Sequence, residues 1–69
     1  MKEYWINNNK GDKNENEFHK EGCSWLEKIK SKTSLGHCAD CYEAKRKAKE
    51  KGYSKPDGCE HCCPTCHTV

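Results

Sequence analysis

Cysteine and histidine are the residues of this sequence best suited to chemistry, and their spacing is typical of a metal site. Seven cysteines and four histidines occur among 69 residues. Two residues between cysteines allow one tight turn to aim both thiolates at a single ion. Three pairs have this spacing: Cys38–Cys41, Cys59–Cys62 and Cys63–Cys66. His19 and Cys23, with three residues between them, form a fourth candidate pair.

The pattern predicts one structural zinc ion. Zinc prefers four nitrogen or sulfur ligands in a tetrahedron, usually supplied as two short-spaced pairs. We expect the ligands to be His19, Cys23, Cys59 and Cys62. This set joins two distant parts of the chain, where coordination bonds contribute most to folding. Cys66 or His67 is the alternative to His19 as the fourth ligand.

The other cysteines have several possible roles. We expect Cys38 and Cys41 to be small buried residues that pack before and within a helix. A less favoured alternative is a second ion held by Cys63 and Cys66 with His67 or Cys41, since adjacent Cys62 and Cys63 do not easily share one tetrahedron. The two remaining histidines are expected either at the surface or next to the metal ligands without binding the ion: His37 and His61.

Two alternatives to zinc follow from the same cysteines. Disulfides are the main one, although an odd number of cysteines argues against a complete disulfide framework. The segment from Cys63 to His67 also matches the C-x-x-C-H attachment motif of c-type haem. We do not expect haem, because Met1 is the sole methionine and the apolar side chains are too few to cover a porphyrin.

The composition limits what else can hold the chain together. Leu, Ile, Val and Phe total six residues, while 35% of the chain is charged, a balance that by itself indicates disorder. No run of eight apolar residues occurs, and the start lacks the apolar segment of a secretory signal. We therefore predict a cytoplasmic protein, with its cysteines reduced and no membrane contact. The net charge of +2 is too small to indicate a nucleic-acid partner.

The elements expected around these ligands are few. Residues 2–6 contain strand-forming Tyr, Trp and Ile, whereas residues 7–17 have no apolar side chain and predict a solvated loop. Cys23, Trp25 and Ile29 occupy alternate positions, which predicts a second strand. Residues 27–34 are then expected to form a hairpin connection. The aromatic residues Tyr4, Trp5 and Trp25 are expected to form the small core.

One helix is predicted over residues 41–51. Asp40 can cap its first turn, and Glu43 supplies the second half of a capping box. Ala44 and Ala48 form a narrow stripe of small residues, and Gly52 suits the position that ends a helix. The fold class is therefore a small α+β domain over residues 1–69, with a short β-hairpin, one α-helix and a cysteine-rich zinc knuckle.

Part of this pattern resembles a known zinc domain. The order His19-x3-Cys23, a helix with small residues, Gly52-Tyr53 and Cys59-x-x-Cys62 is similar to the metal-binding domain of Ada-type DNA alkylation-repair proteins, over about residues 18–62. The resemblance implies a zinc ion on the first His/Cys positions and the final pair, and it suggests alkyl acceptance by a zinc-bound cysteine. In the repair proteins the ion is held largely by cysteines, and residues 54–58 and 63–67 depart from the pattern.

Nearly the whole chain is also similar to a group of small stand-alone bacterial proteins of unknown function. The resemblance implies no activity. The shared features are Tyr4-Trp5-Ile6-Asn7, His19, Gly22-Cys23-x-Trp25-Leu26, Leu35-Gly36 and Asp57-Gly58-Cys59-x-x-Cys62-Cys63-Pro64-x-Cys66-His67-Thr68.

The function expected from the sequence is a non-catalytic zinc module that binds nucleic acid or protein, with no small-molecule substrate. The lysines of the helix and Arg46 could meet phosphates, and there is no Gly-rich phosphate loop to suggest an enzyme. The alternative is thiol chemistry, namely metal carriage, metal sensing or alkyl acceptance, with Cys63 and Cys66 as the spare thiols.

Overall fold

The computed structural model describes residues 1–69 as a four-stranded mixed sheet with one α-helix. The elements are β1 (Lys2–Asn7), β2 (Asn16–Lys20), β3 (Lys32–Cys38), α1 (Cys41–Glu50) and β4 (Pro56–Gly58). Two 3₁₀ turns complete the fold, the first at Ser24–Lys28 and the second at Pro64–Cys66. The strand order is β3-β1-β2-β4. The predicted α+β class is confirmed.

Strand β1 is the centre of the antiparallel part of the sheet. It pairs with β2 on one side and with β3 on the other, both antiparallel. Tyr4 and Ile6 point into the core and are buried, whereas Trp5 between them is only half-buried, as the alternation of a strand requires. Tyr4 therefore belongs to the predicted core, but Trp5 lies at its margin.

The loop predicted over residues 7–17 is shorter than expected. Asn7 ends β1, and both Asn16 and Glu17 belong to β2. Asn16 is buried although it is polar, because its Nδ2 donates a hydrogen bond to the Asn7 carbonyl at 3.0 Å. Its backbone N–H donates to the carbonyl of Lys55, also at 3.0 Å. A polar residue whose donors are satisfied in this way can be buried without a large cost.

The strand predicted from the alternation of Cys23, Trp25 and Ile29 is wrong. Gly22 has a φ of +91°, which turns the chain away from the sheet directly after β2. The following residues form the first 3₁₀ turn, and none of them is buried. Trp25 remains 44% exposed and does not contribute to the core. The third strand instead begins at Lys32, within the region expected to be a connection.

The predicted helix is confirmed and ends one residue earlier than expected. The Asp40 side chain accepts a hydrogen bond from the backbone N–H of Glu43 at 3.0 Å. Ala44 and Ala48 are fully buried against the sheet, and Gly52 follows the helix with a φ of +104°. No helix of the structure has the length and apolar character needed to cross a membrane.

Sulfur atoms make up a large part of the core. Four of its ten buried residues are cysteines: Cys38, Cys41, Cys63 and Cys66. Cys41 and Cys66 form a disulfide that ties the start of α1 to the second 3₁₀ turn. The disulfide alternative is therefore correct for this pair. Cys41 was expected to be a buried packing residue, and it is buried as well as disulfide-bonded.

Gly58 at the end of β4 lies too close to the second 3₁₀ turn to carry a side chain. A Cβ atom at this position would lie 2.7 Å from Cys66 Cβ and 2.8 Å from the backbone O of Cys63. We expect Gly58→Ala to lower the free energy of unfolding by about 1–3 kcal/mol, because the backbone must shift to make room. Urea denaturation followed by circular dichroism measures the change.

The matched control is Gly11→Ala. There the added Cβ would meet only the end of the flexible Glu15 side chain, so the free energy of unfolding should change little. Equal effects of the two substitutions would contradict the packing that we describe around Gly58.

Candidate metal centre

Four side chains from two distant parts of the sequence come together at one end of the sheet. They are His19, Cys23, Cys59 and Cys62, and their ligand atoms all lie within 4.8 Å of one another. His19 is on β2, Cys23 precedes the first 3₁₀ turn, and the Cys59–Cys62 pair follows β4. The group could hold a metal ion, and it is the set of four predicted from residue spacing.

The parallel pairing of β2 with β4 brings these ligands together. Phe18 is the register partner of Gly58, and the backbone N–H of Cys59 donates to the Phe18 carbonyl at 2.9 Å. His19 and Cys59 therefore follow paired residues on neighbouring strands. The turn after β4 is closed by a hydrogen bond from the Cys63 N–H to the Cys59 carbonyl at 2.8 Å, which returns Cys62 toward the same point.

The distances within the group fit tetrahedral coordination. The Sγ of Cys23 lies 3.6 Å from Nδ1 of His19 and 4.0 Å from Sγ of Cys59. An ion about 2.3 Å from sulfur and about 2.05 Å from nitrogen places tetrahedral donors about 3.6 Å apart for an S–N edge and about 3.8 Å for an S–S edge. The Cys23 sulfur is thus close to tetrahedral spacing from His19 and Cys59, and Cys62 completes the group within 4.8 Å.

The imidazole of His19 is oriented by a carboxylate. Its Nε2 lies 3.2 Å from Oε1 of Glu17, while its Nδ1 faces the sulfur of Cys23. Burial lowers the pKa of His19, which favours the neutral ring that a metal ligand needs. A histidine that gives its second N–H to a carboxylate is held in one tautomer and is a better ligand. Burial, followed by the negative charge of Asp57, raises the pKa of Glu17.

The sulfur atoms of Cys59 and Cys62 receive backbone hydrogen bonds, and no positively charged side chain donates to them. The N–H of Lys20 donates to Sγ of Cys62, and the N–H of His61 donates to Sγ of Cys59, each at 3.4 Å. Burial nevertheless raises the pKa of both the Cys59 and Cys62 thiols. These thiols therefore keep their protons at neutral pH until a cation displaces them.

The alternative ligands lie outside this group. Cys66 is bonded to Cys41, so its sulfur is not available to an ion, and the second metal site considered for Cys63 and Cys66 is wrong for the same reason. His67 is not part of the group, and its Nδ1 lies 3.1 Å from both the Gly58 carbonyl O and Oδ2 of Asp57. The hydrogen bond to Gly58, and then the charge of Asp57, raises the pKa of His67.

A cleft of about 740 Å³ borders the exposed edge of the metal centre. Cys23 and Cys62 are only half-buried, and both line this cleft together with the side chains of Lys2 and Lys20. His61, expected to be an ordinary surface residue, lines it too and stacks on Trp25 with 5.7 Å between ring centroids. Two thiol ligands are therefore accessible from a surface that carries positive charge.

Two features of the site escaped sequence reasoning. Glu17 was placed in the solvated loop, although an acidic residue two positions before a histidine lies on the same face of a strand and can orient it. The Trp25–His61 pair brings together residues that are far apart in sequence, and no local pattern indicates it. The pair depends on the metal-centre geometry that joins residues 19–23 to 59–62.

We expect Glu17→Ala to weaken metal binding about 10- to 100-fold, because the His19 ring loses the group that fixes its tautomer and direction. Competition with a chromogenic chelator measures the dissociation constant. Glu60→Ala is the matched control, since Glu60 is exposed in the same region and makes no hydrogen bond to a ligand. Equal affinities for the two variants would show that Glu17 does not support the site.

Comparison of the chain with protein-family models, with curated proteins and with solved structures gave no match. The chemistry of the centre is therefore inferred from its own donors: one imidazole nitrogen and three thiol sulfurs at nearly tetrahedral spacing.

Proposed function

We propose that this protein is a small zinc-binding domain whose ion has a structural, non-catalytic role. The observation that carries the proposal is the convergence of His19 and Cys23 with the Cys59–Cys62 pair, whose four ligand atoms lie within 4.8 Å of one another. All four positions of a tetrahedron are filled by the protein, as in structural zinc sites, whereas catalytic sites keep one position open.

The donor set favours zinc over other common cations. Three sulfur ligands and one imidazole suit a borderline-soft ion with a tetrahedral preference, while Mg²⁺ and Ca²⁺ select oxygen. The similarity of residues 18–62 to Ada-type zinc domains supports the same choice. In this chain His19 supplies an imidazole nitrogen in place of a fourth thiolate. The net charge of the zinc centre is therefore one unit less negative than that of a centre with four thiolates.

A structural role follows because few other contacts join the two segments of the site, residues 19–23 and residues 59–62. Strand β4 has three residues, and Cys59 and Cys62 follow it in a turn. An ion bonded to both segments replaces the core that the composition cannot supply, because binding free energy becomes folding free energy when the site does not exist in the unfolded chain. Removing one ligand should therefore affect both metal content and fold.

Native mass spectrometry of the zinc-loaded protein tests the stoichiometry. We expect one zinc ion per wild-type chain and no retained ion in Cys59→Ser, because three remaining ligands with a buried hydroxyl bind zinc far more weakly. Cys38→Ala is the control, since Cys38 is buried outside the group with its sulfur 3.7 Å from the Gly36 carbonyl, and it should retain the ion. Wild-type protein without zinc, or Cys59→Ser with a full equivalent, would contradict the proposal.

A second candidate function is binding of single-stranded nucleic acid beside the metal centre. Trp25 is 44% exposed and stacks on His61. The Nζ of Lys28 lies 4.7 Å from the centroid of the Trp25 ring. The neighbouring cleft is lined by Lys2 and Lys20 with one acidic residue, Glu21, so this surface combines an aromatic platform with lysines that could meet phosphates. We define this surface, formed by Lys2, Lys20, Trp25, Lys28 and His61, as the aromatic face.

The aromatic face is better suited to this role than the basic helix, which the sequence offered as a possible phosphate contact but favoured as a solvated face. Arg46 is held by carboxylates on both sides, 2.6 Å from Glu50 and 3.7 Å from Glu43. Lys47 donates to the carbonyl of His37 at 3.1 Å. These partners reduce the charge that the helix can offer to phosphates.

Fluorescence anisotropy with a labelled single-stranded oligonucleotide tests this candidate at physiological salt. We expect Trp25→Ala to weaken binding about 5- to 100-fold, since stacking on an aromatic side chain contributes about 1–3 kcal/mol per base. Tyr42→Ala is the matched control, because Tyr42 is an exposed aromatic residue on α1. Binding that is lost at physiological salt, or equal effects of both variants, would count against a nucleic-acid role.

A further inference from the structure

Three cysteines outside the metal centre form a second sulfur cluster around Gly58. Cys41 and Cys66 are joined as a disulfide, and Cys63 is a free, buried thiol. Cys63 immediately precedes the second 3₁₀ turn and Cys66 ends it, and the Cys66 N–H donates a hydrogen bond to the Cys63 carbonyl at 3.0 Å. The third thiol therefore belongs to the same turn as one half of the disulfide.

The space around Gly58 indicates how close the Cβ atoms of Cys63 and Cys66 are to each other. The point where its missing Cβ would lie is 2.7 Å from Cys66 Cβ and 3.0 Å from Cys63 Cβ. The two Cβ atoms are therefore less than about 6 Å apart, on the same side of the turn, while a disulfide needs a Cβ–Cβ separation of about 3.5–4.5 Å. Bonding of Cys63 to Cys66 therefore requires the two Cβ atoms to lie within about 4.5 Å of each other, inside the limit that Gly58 sets on their separation.

We propose that Cys63, Cys66 and Cys41 form a thiol–disulfide exchange centre, separate from the metal centre. The Cys63 sulfur attacks the Cys66 sulfur, a Cys63–Cys66 bond forms, and the Cys41–Cys66 bond breaks. The electron pair of the broken bond leaves on Cys41, which takes up a proton in place of the one that Cys63 gave up. One disulfide and one thiol are present before and after, so the step needs no external oxidant or reductant.

The position of Cys41 makes it the better leaving group of the two disulfide partners. Cys41 is the first residue of the ten-residue helix α1, where unpaired backbone N–H groups and the helix dipole stabilise a thiolate. The Oγ1 of Thr65 lies 3.4 Å from its sulfur and can donate a hydrogen bond to it. A thiolate that is stabilised in this way leaves faster in disulfide exchange.

The released Cys41 thiol would face a groove of about 340 Å³ that it lines together with Tyr42, Cys63 and Thr65. A low-molecular-weight disulfide entering this groove could then form a mixed disulfide with Cys41 and leave as the corresponding thiol. Exchange also removes the covalent link between α1 and the second 3₁₀ turn. The redox state of low-molecular-weight thiols would therefore determine whether the second 3₁₀ turn stays covalently attached to α1.

The metal centre limits which thiols take part. The sulfur of Cys62 lies 3.6 Å from that of Cys63 and would compete for the same disulfide if it were free. Loading the protein with zinc before the measurement occupies Cys62 and leaves Cys63 as the neighbouring free thiol. The two pairings are readily distinguished, because Cys41–Cys66 joins two tryptic peptides whereas Cys63–Cys66 lies within one.

The test is disulfide mapping of the zinc-loaded chain equilibrated in a glutathione redox buffer, quenched with acid, alkylated and digested. We expect the Cys63–Cys66 pairing in about a tenth or more of wild-type chains. Cys41→Ala should carry it in most chains, and Cys63→Ala should keep Cys41–Cys66 alone. Cys38→Ala should behave as wild type, since its sulfur is bonded to neither partner.

Absence of the Cys63–Cys66 pairing from equilibrated wild-type chains would overturn the proposal. Should Cys41→Ala fail to fold, the comparison of wild type with Cys63→Ala still decides, because both keep the disulfide found in the structure. A mixed disulfide with glutathione on Cys41 in wild type, reduced at least tenfold in Cys63→Ala, would support the exchange step independently.

Discussion

The short parallel pairing between β2 and β4 is the constraint on which the arrangement of this protein depends. It places Phe18 beside Gly58, so that the residues immediately following each strand, His19 and Cys59, begin the metal centre together. Three paired residues cannot hold this geometry by backbone hydrogen bonds alone, since parallel pairing is weak and its closing loop is long. In our proposal, a cation bonded to donors from both segments supplies the missing stability.

Two links that involve cysteine sulfur atoms hold the C-terminal segment in our account. The Cys41–Cys66 disulfide attaches the second 3₁₀ turn to the start of α1, and the proposed metal ion would attach residues 59–62 to β2. Between them lies a core with few large apolar side chains, of which Phe18 and Ile6 are fully buried. Small domains with a core of this size commonly need such links. In this chain the links also carry the chemistry that we propose.

The local features of the fold were predictable from the sequence, and the nonlocal ones were not. The helix was predicted because its cap at Asp40 and the glycine after its end are neighbours in sequence. The four residues of the candidate site were predicted because pair spacing constrains which cysteines could share an ion. The strand expected at Trp25 failed because alternation in a short polar stretch is weak evidence, and the positive φ of Gly22 redirects the chain. The partner of Cys41 depends on tertiary contact alone, which spacing does not encode.

The most direct test of the central claim is a pair of amide ¹H–¹⁵N NMR spectra, recorded for the zinc-loaded protein and after exhaustive chelation. We predict that chelation collapses the dispersion of the amide signals from residues 16–23 and 56–63, and that one equivalent of zinc restores it. A chelated protein that keeps its full dispersion, with the ion shown to be absent by elemental analysis, would contradict the account.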